Sequence, residues 1–334
     1  MGLSPPLRRR SRRGWSGRRS PMRWCLGGWA TECEDGESGM PDFICIGGQR
    51  TGTTWLHHVL SANDAVWMPP CKELHHFDTM DPDTPAYPYR YREHLASRVR
   101  HYGLAALRAA GVRSVAPGQT PRLEWAWDRR YFLTPRRSID WYRNLFEVAS
   151  ARGRVTGEIT PAYSILPPAR VAEIAAAFPA LKVILILRDP IARAWSHALK
   201  DMPASAAQDR AQAVRFLRAP DCFERSNWPA ILDRWSAAIP PERMLVLGFE
   251  QIRSDPQGFL NAVADFLGAP LALPSEVGGS LRERGSSTFR AGGAPDTVVD
   301  AIADLYGPVI AETAARLPEV AAPWTRTWSR LLTA

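Results

Sequence analysis

A three-layer α/β/α fold around a central, mainly parallel sheet is predicted from three observations on this 334-residue chain. Strand-like apolar runs alternate with helix-like stretches along much of its length, the pattern of a parallel sheet covered by helices on both faces. Two runs, Lys182-Val183-Ile184-Leu185-Ile186-Leu187 and Arg243-Met244-Leu245-Val246-Leu247, are nearly unbroken in apolar content, so both are expected at the centre of the sheet. The first run, Phe43-Ile44-Cys45-Ile46, passes directly into a glycine turn and then a helical pattern.

In chain order, strands are expected at Phe43 to Ile46, around Val66 to Met68, at Val155 to Ile159, at Val183 to Leu187 and at Met244 to Phe249. Asp189-Pro190 reads as an N-cap acceptor followed by proline in the first turn of a helix. Further helices are expected from Asn227 to Ala238 and from Phe259 to Leu267, the latter stopped by Gly268. Residues 81–137 differ, with six prolines and more basic and aromatic side chains than acids. They read as an insertion over the sheet edge, a lid within a single α/β domain spanning 41–334.

The formal charge of +8 resides in the first 24 residues, which hold eight arginines and no acid, so the remainder balances to zero. Residues 1–40 are expected to be a disordered, solvated, arginine-rich tail, or an extension ahead of a true start at Met22 or Met40. The pair Arg12-Arg13 is not followed by the apolar stretch an export signal requires, and no run approaches a membrane span. Five scattered cysteines without C-x-x-C spacing fit a reducing cytoplasm and no metal site.

The turn after the first strand reads Gly47-Gly48-Gln49-Arg50-Thr51-Gly52-Thr53-Thr54-Trp55. A strand, a glycine turn and a helix N-terminus gather backbone N–H groups around one point and favour an anion there. The P-loop of nucleotide triphosphatases, G-x-x-x-x-G-K-[ST], has the same spacing between Gly47 and Gly52, but Thr53 stands at its lysine position and the cation, Arg50, lies inside the loop. The usual geometry for a γ-phosphate and magnesium is thereby lost, and a donor without a triphosphate is more natural.

The segment Gln49 to Leu56 resembles the 5′-phosphosulfate loop of the sulfotransferase family, whose donor is 3′-phosphoadenosine-5′-phosphosulfate (PAPS) and whose product is the 3′,5′-bisphosphate (PAP). That resemblance assigns Arg50, Thr51, Gly52, Thr53 and Thr54 to the donor, and Trp55 either to adenine or to the core. It also demands a second anion site. Leu185-Ile186-Leu187-Arg188-Asp189-Pro190 through Ser196 is similar to the family's strand-arginine-helix-serine motif, with Arg188 at the carboxyl end of a strand, where open α/β sheets collect ligands. Ser196 falls about 10 Å along the next helix. Asp189 reads better as the helix cap than as a magnesium ligand.

Pro69-Pro70-Cys71-Lys72-Glu73-Leu74-His75-His76-Phe77-Asp78 resembles the K-E-x-x-x-F segment of heparan-type and related bacterial members, which implies Glu73 as general base with Lys72 beside the reacting oxygens. His75 and His76 are alternative bases, and His75 is also a candidate for acceptor contact. Gly157-Glu158-Ile159-Thr160-Pro161-Ala162-Tyr163 is similar to the family's E-x-[ST]-P-x-Y segment, so Glu158 and Tyr163 are candidates for acceptor positioning. Arg284, with Arg282 and Arg290, is a candidate to close over the 3′-phosphate.

The resemblance covers about residues 41–325. It implies a cytoplasmic enzyme that transfers a sulfuryl group to a carbohydrate, lipid or other small acceptor, without a metal, a nucleic-acid partner or a membrane span. A P-loop kinase or NTPase, and a nucleic-acid or membrane-surface binder acting through the arginine tail, are the alternative readings.

Overall fold

The computed structural model describes residues 39–80, 88–110, 123–134, 138–275 and 293–332. Five parallel strands form the sheet: β1 (Phe43–Cys45), β2 (Val66–Trp67), β3 (Val155–Ile159), β4 (Lys182–Leu187) and β5 (Met244–Gly248), in the order β2-β3-β1-β4-β5. The side-chain period of two sends alternate residues to opposite faces. Ile44, Val183, Leu185 and Leu187 enter one apolar core, with Val171, Ile191, Trp228 and Ile310 from covering helices. Phe43, Cys45, Ile184, Ile186 and Leu247 enter the other, with Leu56 and Val59 of helix Thr53–Ser61 and Phe259 and Val263 of helix Pro256–Leu267. These two cores are the physical basis of the expected three layers.

The expected strand positions are recovered, with one correction. β4 lies beside the central β1, but β5 pairs with β4 alone among the described residues and so lies at an edge. Its apolar run reflects helices packed on it, Gln251–Ser254, Pro256–Leu267 and Pro318–Thr327, rather than a place between two strands. In β3, Gly157 is opposite Phe43, and a Cβ at Gly157 would fall 2.4 Å from the Phe43 ring. Glycine lets that ring lie flat against the neighbouring strand.

Helix boundaries follow the expected chemistry. Asp189 Oδ1 accepts from the N–H groups of Ile191 and Ala192 at 2.9 and 3.1 Å and starts helix Pro190–Asp201. Helix Pro256–Leu267 ends at Gly268, whose φ of 73° is left-handed. Between β2 and β3, helices Pro88–Ala109 and Trp125–Leu133 are joined by a bidentate Arg98–Asp128 pair, both bonds 2.8 Å and both side chains buried. No helix among the described residues is long and apolar enough to cross a membrane.

Candidate functional site

β1 delivers the glycine loop to the carboxyl edge of the sheet. Gly48 packs beneath Trp228, where a Cβ would sit 2.6 Å from the indole. Gly52, at φ 84°, turns the chain into helix Thr53–Ser61, which no side chain caps. Its first N–H groups are therefore left for an anion. Arg50 adopts a left-handed φ of 70° inside this loop. The buried Thr51 hydroxyl donates to the Gly48 carbonyl at 2.6 Å and latches the loop, while Thr53 is buried and Thr54 exposed at the helix start.

The second predicted half-site meets the first. Arg50 Nε donates to Ser196 Oγ at 3.0 Å, although 146 positions separate them, and Arg188 Nη1 donates to the Arg50 carbonyl at 2.8 Å. Arg188 also lies 4.5 Å over the Phe249 ring. Burial lowers the Arg188 pKa to about 10, opposed by Glu250 and Asp189, so the guanidinium stays charged at neutral pH. Trp228 Nε1 donates to the Arg188 carbonyl at 2.8 Å, so the indole that covers Gly48 also fixes Arg188. The glycine cradle and paired cations fit a ligand with two anionic groups.

The segment after β2 runs past the end of β3, where the Glu73 N–H donates to the Ile159 carbonyl at 3.2 Å, and its charges are felt at Cys45 in β1 and at His57 in helix Thr53–Ser61. Lys72 Nζ is 2.5 Å from Glu73 Oε1, and both side chains are only partly exposed. Glu73 and His75 have left-handed φ values of 62° and 50°, and with Arg50 they are the non-glycine residues of positive φ among the described residues. Such backbone persists where its surroundings over-determine it. His75 Nδ1 donates to Asp78 Oδ2 at 2.6 Å, and its Nε2 is 3.5 Å from Glu73 Oε2. Burial alone would lower the His75 pKa, but Asp78 and Glu73 raise it to about 9, so the ring holds its proton at neutral pH. Stability from this pairing is fully present below the unfolded value near 6.5 and is lost as pH rises through about 9. Asp78→Asn is expected to shrink the stability difference between about pH 6 and about pH 10, measured by denaturant unfolding.

The profile of the sulfotransferase family matches residues 41–272. The chain belongs to the sulfotransferase family. Heparan sulfate glucosamine 3-O-sulfotransferase 3B1 of Mus musculus is 30% identical over 150 residues, covering 42% of this chain and 37% of that protein. Cytosolic sulfotransferase 3 of Arabidopsis thaliana is 35% identical over 63 residues, covering 19% of this chain and 20% of that protein. The chain thus spans well under half the length of these curated relatives. In fold, it is similar to the crystal structure of a sulfotransferase from Alicyclobacillus acidocaldarius, with a TM-score of 0.54 at 20% identity over 85% of this chain and 98% of that one.

Several of the expected site residues are held inside the protein. Glu158 and Tyr163 are buried. Glu158 accepts from Thr160, Tyr142 and Tyr163 hydroxyls at 2.7, 2.8 and 3.0 Å and from the Leu74 N–H at 3.3 Å. The Tyr163 hydroxyl in turn accepts from the His76 N–H at 2.9 Å, so this buried network shapes the Glu73 segment from below. His76 is buried and stacks on Tyr142 at 4.8 Å, which keeps its ring away from solvent and from a small acceptor, and burial lowers its pKa to about 3. His75, 6% exposed, is held between Glu73 and Asp78. Trp55 is a core residue, edge-on to Phe259 at 5.6 Å, a position that favours packing over stacking on a base. Arg284, Arg282 and Arg290 lie outside the described residues.

Sequence reasoning gave no role to Asp78 or Trp228. Asp78 is inside the segment already singled out, five residues after Glu73. His94 is a further contact, its Nε2 donating to the Lys72 carbonyl at 3.0 Å while Nδ1 accepts from the Tyr131 hydroxyl at 2.8 Å. Helix Pro88–Ala109 is tied through it to the backbone of the Lys72-Glu73 segment.

Proposed function

We propose that this sulfotransferase moves a sulfuryl group from PAPS to a hydroxyl or amine of a carbohydrate, lipid or other small acceptor, with Glu73 as general base. The observation that carries this reading is the meeting of Arg50, Ser196 and Arg188 at one edge of the sheet. In this reading the glycine loop, Arg50, Thr53 and Thr54 hold the 5′-phosphosulfate, and Arg188 and Ser196 hold the 3′-phosphate. Arg50 Nε uses the acceptor side of Ser196 Oγ, which leaves the serine O–H to donate.

The donor supplies an activated sulfuryl group. Glu73 takes the acceptor proton as the acceptor oxygen or nitrogen bonds to sulfur and the bond from sulfur to the bridging phosphate oxygen breaks. Lys72 and Arg50 stabilise the charge that develops on the sulfuryl and leaving oxygens. Glu73 is favoured over the neighbouring imidazoles because it is partly exposed, whereas His75 holds its proton and His76 is buried against Tyr142. A carbohydrate acceptor is favoured by the heparan sulfate relative. The insertion serves as a lid in this reading, supported by the His94 contact to Lys72. A cytoplasmic location is supported by free, buried Cys45, Cys71 and Cys222.

The test is thermal stabilisation. PAP at saturating concentration is expected to raise the melting temperature by several degrees, and more than adenosine 5′-phosphate at equal concentration. Greater stabilisation by ATP with magnesium would favour a kinase or NTPase and sink the donor assignment.

A further inference from the structure

Arg193 lies one turn before Ser196 on helix Pro190–Asp201, about 4.5 Å along its axis, and is 0% exposed. A guanidinium removed from water ordinarily brings a carboxylate with it, because a lone buried charge is strongly disfavoured. Arg193 has none among the described residues. Its Nε donates to Ser226 Oγ at 2.5 Å, and its Nη2 donates to the Cys222 carbonyl at 2.8 Å and lies 3.3 Å from the Cys222 sulfur. Its Nη1 has no hydrogen-bond partner. All these acceptors are neutral, and arginine does not shed its proton in exchange.

The acids nearby are engaged elsewhere. Asp221 accepts from Arg225 at 2.9 Å, Asp201 is 2.9 Å from His197 Nε2, and Asp189 caps the helix and accepts from Trp328 Nε1 at 2.6 Å. The charge of Arg193 is thus left over, and it is felt at both anion half-sites, where it lowers the proton affinity of Arg50 and of Arg188.

We propose that Arg193 is a specificity-determining residue that strengthens binding of the donor's 3′-phosphate through its buried charge, without touching the ligand. The 3′-phosphate is then the counter-charge that Arg193 lacks in the free protein. At low effective dielectric, one unit charge about 10 Å from a dianion is sufficient to change affinity tenfold or more. The inference rests on the reading that Arg188 and Ser196 hold the 3′-phosphate.

The experiment compares the affinities for PAP and adenosine 5′-phosphate, by calorimetry, in wild type, Arg193→Met, Arg193→Lys and Cys222→Asp. Wild type should prefer PAP. Arg193→Met should lower that preference about tenfold or more, whereas Arg193→Lys, which keeps the charge, should hold it within about threefold. Cys222→Asp leaves Arg193 in place and sets a carboxylate beside it, so it should also lower the preference about tenfold. Should Arg193→Met fail to fold, as judged by circular dichroism, Cys222→Asp decides alone.

A wild-type preference in Cys222→Asp overturns the proposal, as does an equally large loss in Arg193→Lys and Arg193→Met. A wild type that does not distinguish the two nucleotides overturns the 3′-phosphate assignment itself. That result is separable from a wild type that discriminates beside variants that do so equally well.

Discussion

Glu73→Gln is expected to lower turnover by about 10²- to 10⁴-fold while leaving PAP affinity within about threefold of wild type. The change is nearly isosteric and removes the proton acceptor, so its effect should fall on the chemical step. It also takes an anion from Lys72, 2.5 Å away, and one from His75. The His75 pKa should consequently fall from about 9, with Asp78 still raising it, and this shift is readable by NMR titration. Single-turnover kinetics with PAPS separates chemistry from donor binding. Unchanged turnover in Glu73→Gln, together with loss of activity in His75→Ala, would move the base from the carboxylate to the imidazole.

The contrast between Glu73 and Glu158 shows what the sequence could and could not disclose. Both are acids beside strand ends in family-like segments, and residue type alone gives them similar standing. Burial separates them, for Glu158 is 1% exposed and its oxygens accept four hydrogen bonds from within the protein. Periodicity located the strands because each sheet face has its own core, and the same cores hide the difference between β5 at an edge and β4 inside. An apolar run records coverage by helices, not the number of strand neighbours.

The glycine loop and the turn after β4 were legible because strand ends and helix starts follow from short local signals such as Asp189-Pro190 and the loop glycines. Their meeting through Arg50 and Ser196, and the dual role of Trp228 over Gly48 and under Arg188, depend on packing across long separations. Three positive-φ side chains, Arg50, Glu73 and His75, were likewise invisible, since left-handed backbone at non-glycine residues has little local sequence signature. Their concentration at the proposed reacting groups is the signature of a site over-determined by its surroundings.

That strain leads to the second large effect. Arg50→Gly is expected to leave the ligand-free protein about as stable as wild type, because relief of backbone strain offsets the lost hydrogen bond to Ser196, while lowering PAP affinity roughly 10- to 100-fold. At φ 70°, a non-glycine residue loses about 1–2 kcal/mol of backbone energy. Glycine relieves that strain and offsets it with about 0.5–1 kcal/mol of extra unfolded-state entropy. Removing the side chain also takes a part-buried cation away from Arg193, which disfavours its charge. The Arg50 carbonyl that accepts from Arg188 is main chain, so the variant retains that bond. What it loses is the hydrogen bond to Ser196, worth about 0.5–1.5 kcal/mol, and the guanidinium that the proposed reading sets against the 5′-phosphosulfate. The efficiency kcat/KM for the donor should fall further than PAP affinity, because part of that charge acts only as the leaving oxygens gain theirs. Melting curves with and without PAP make the separation visible: the ligand-free curve should not move down, and the ligand-induced rise should shrink. A lower ligand-free melting temperature would show that Arg50 serves the fold, and an undiminished ligand-induced rise would remove it from the donor site.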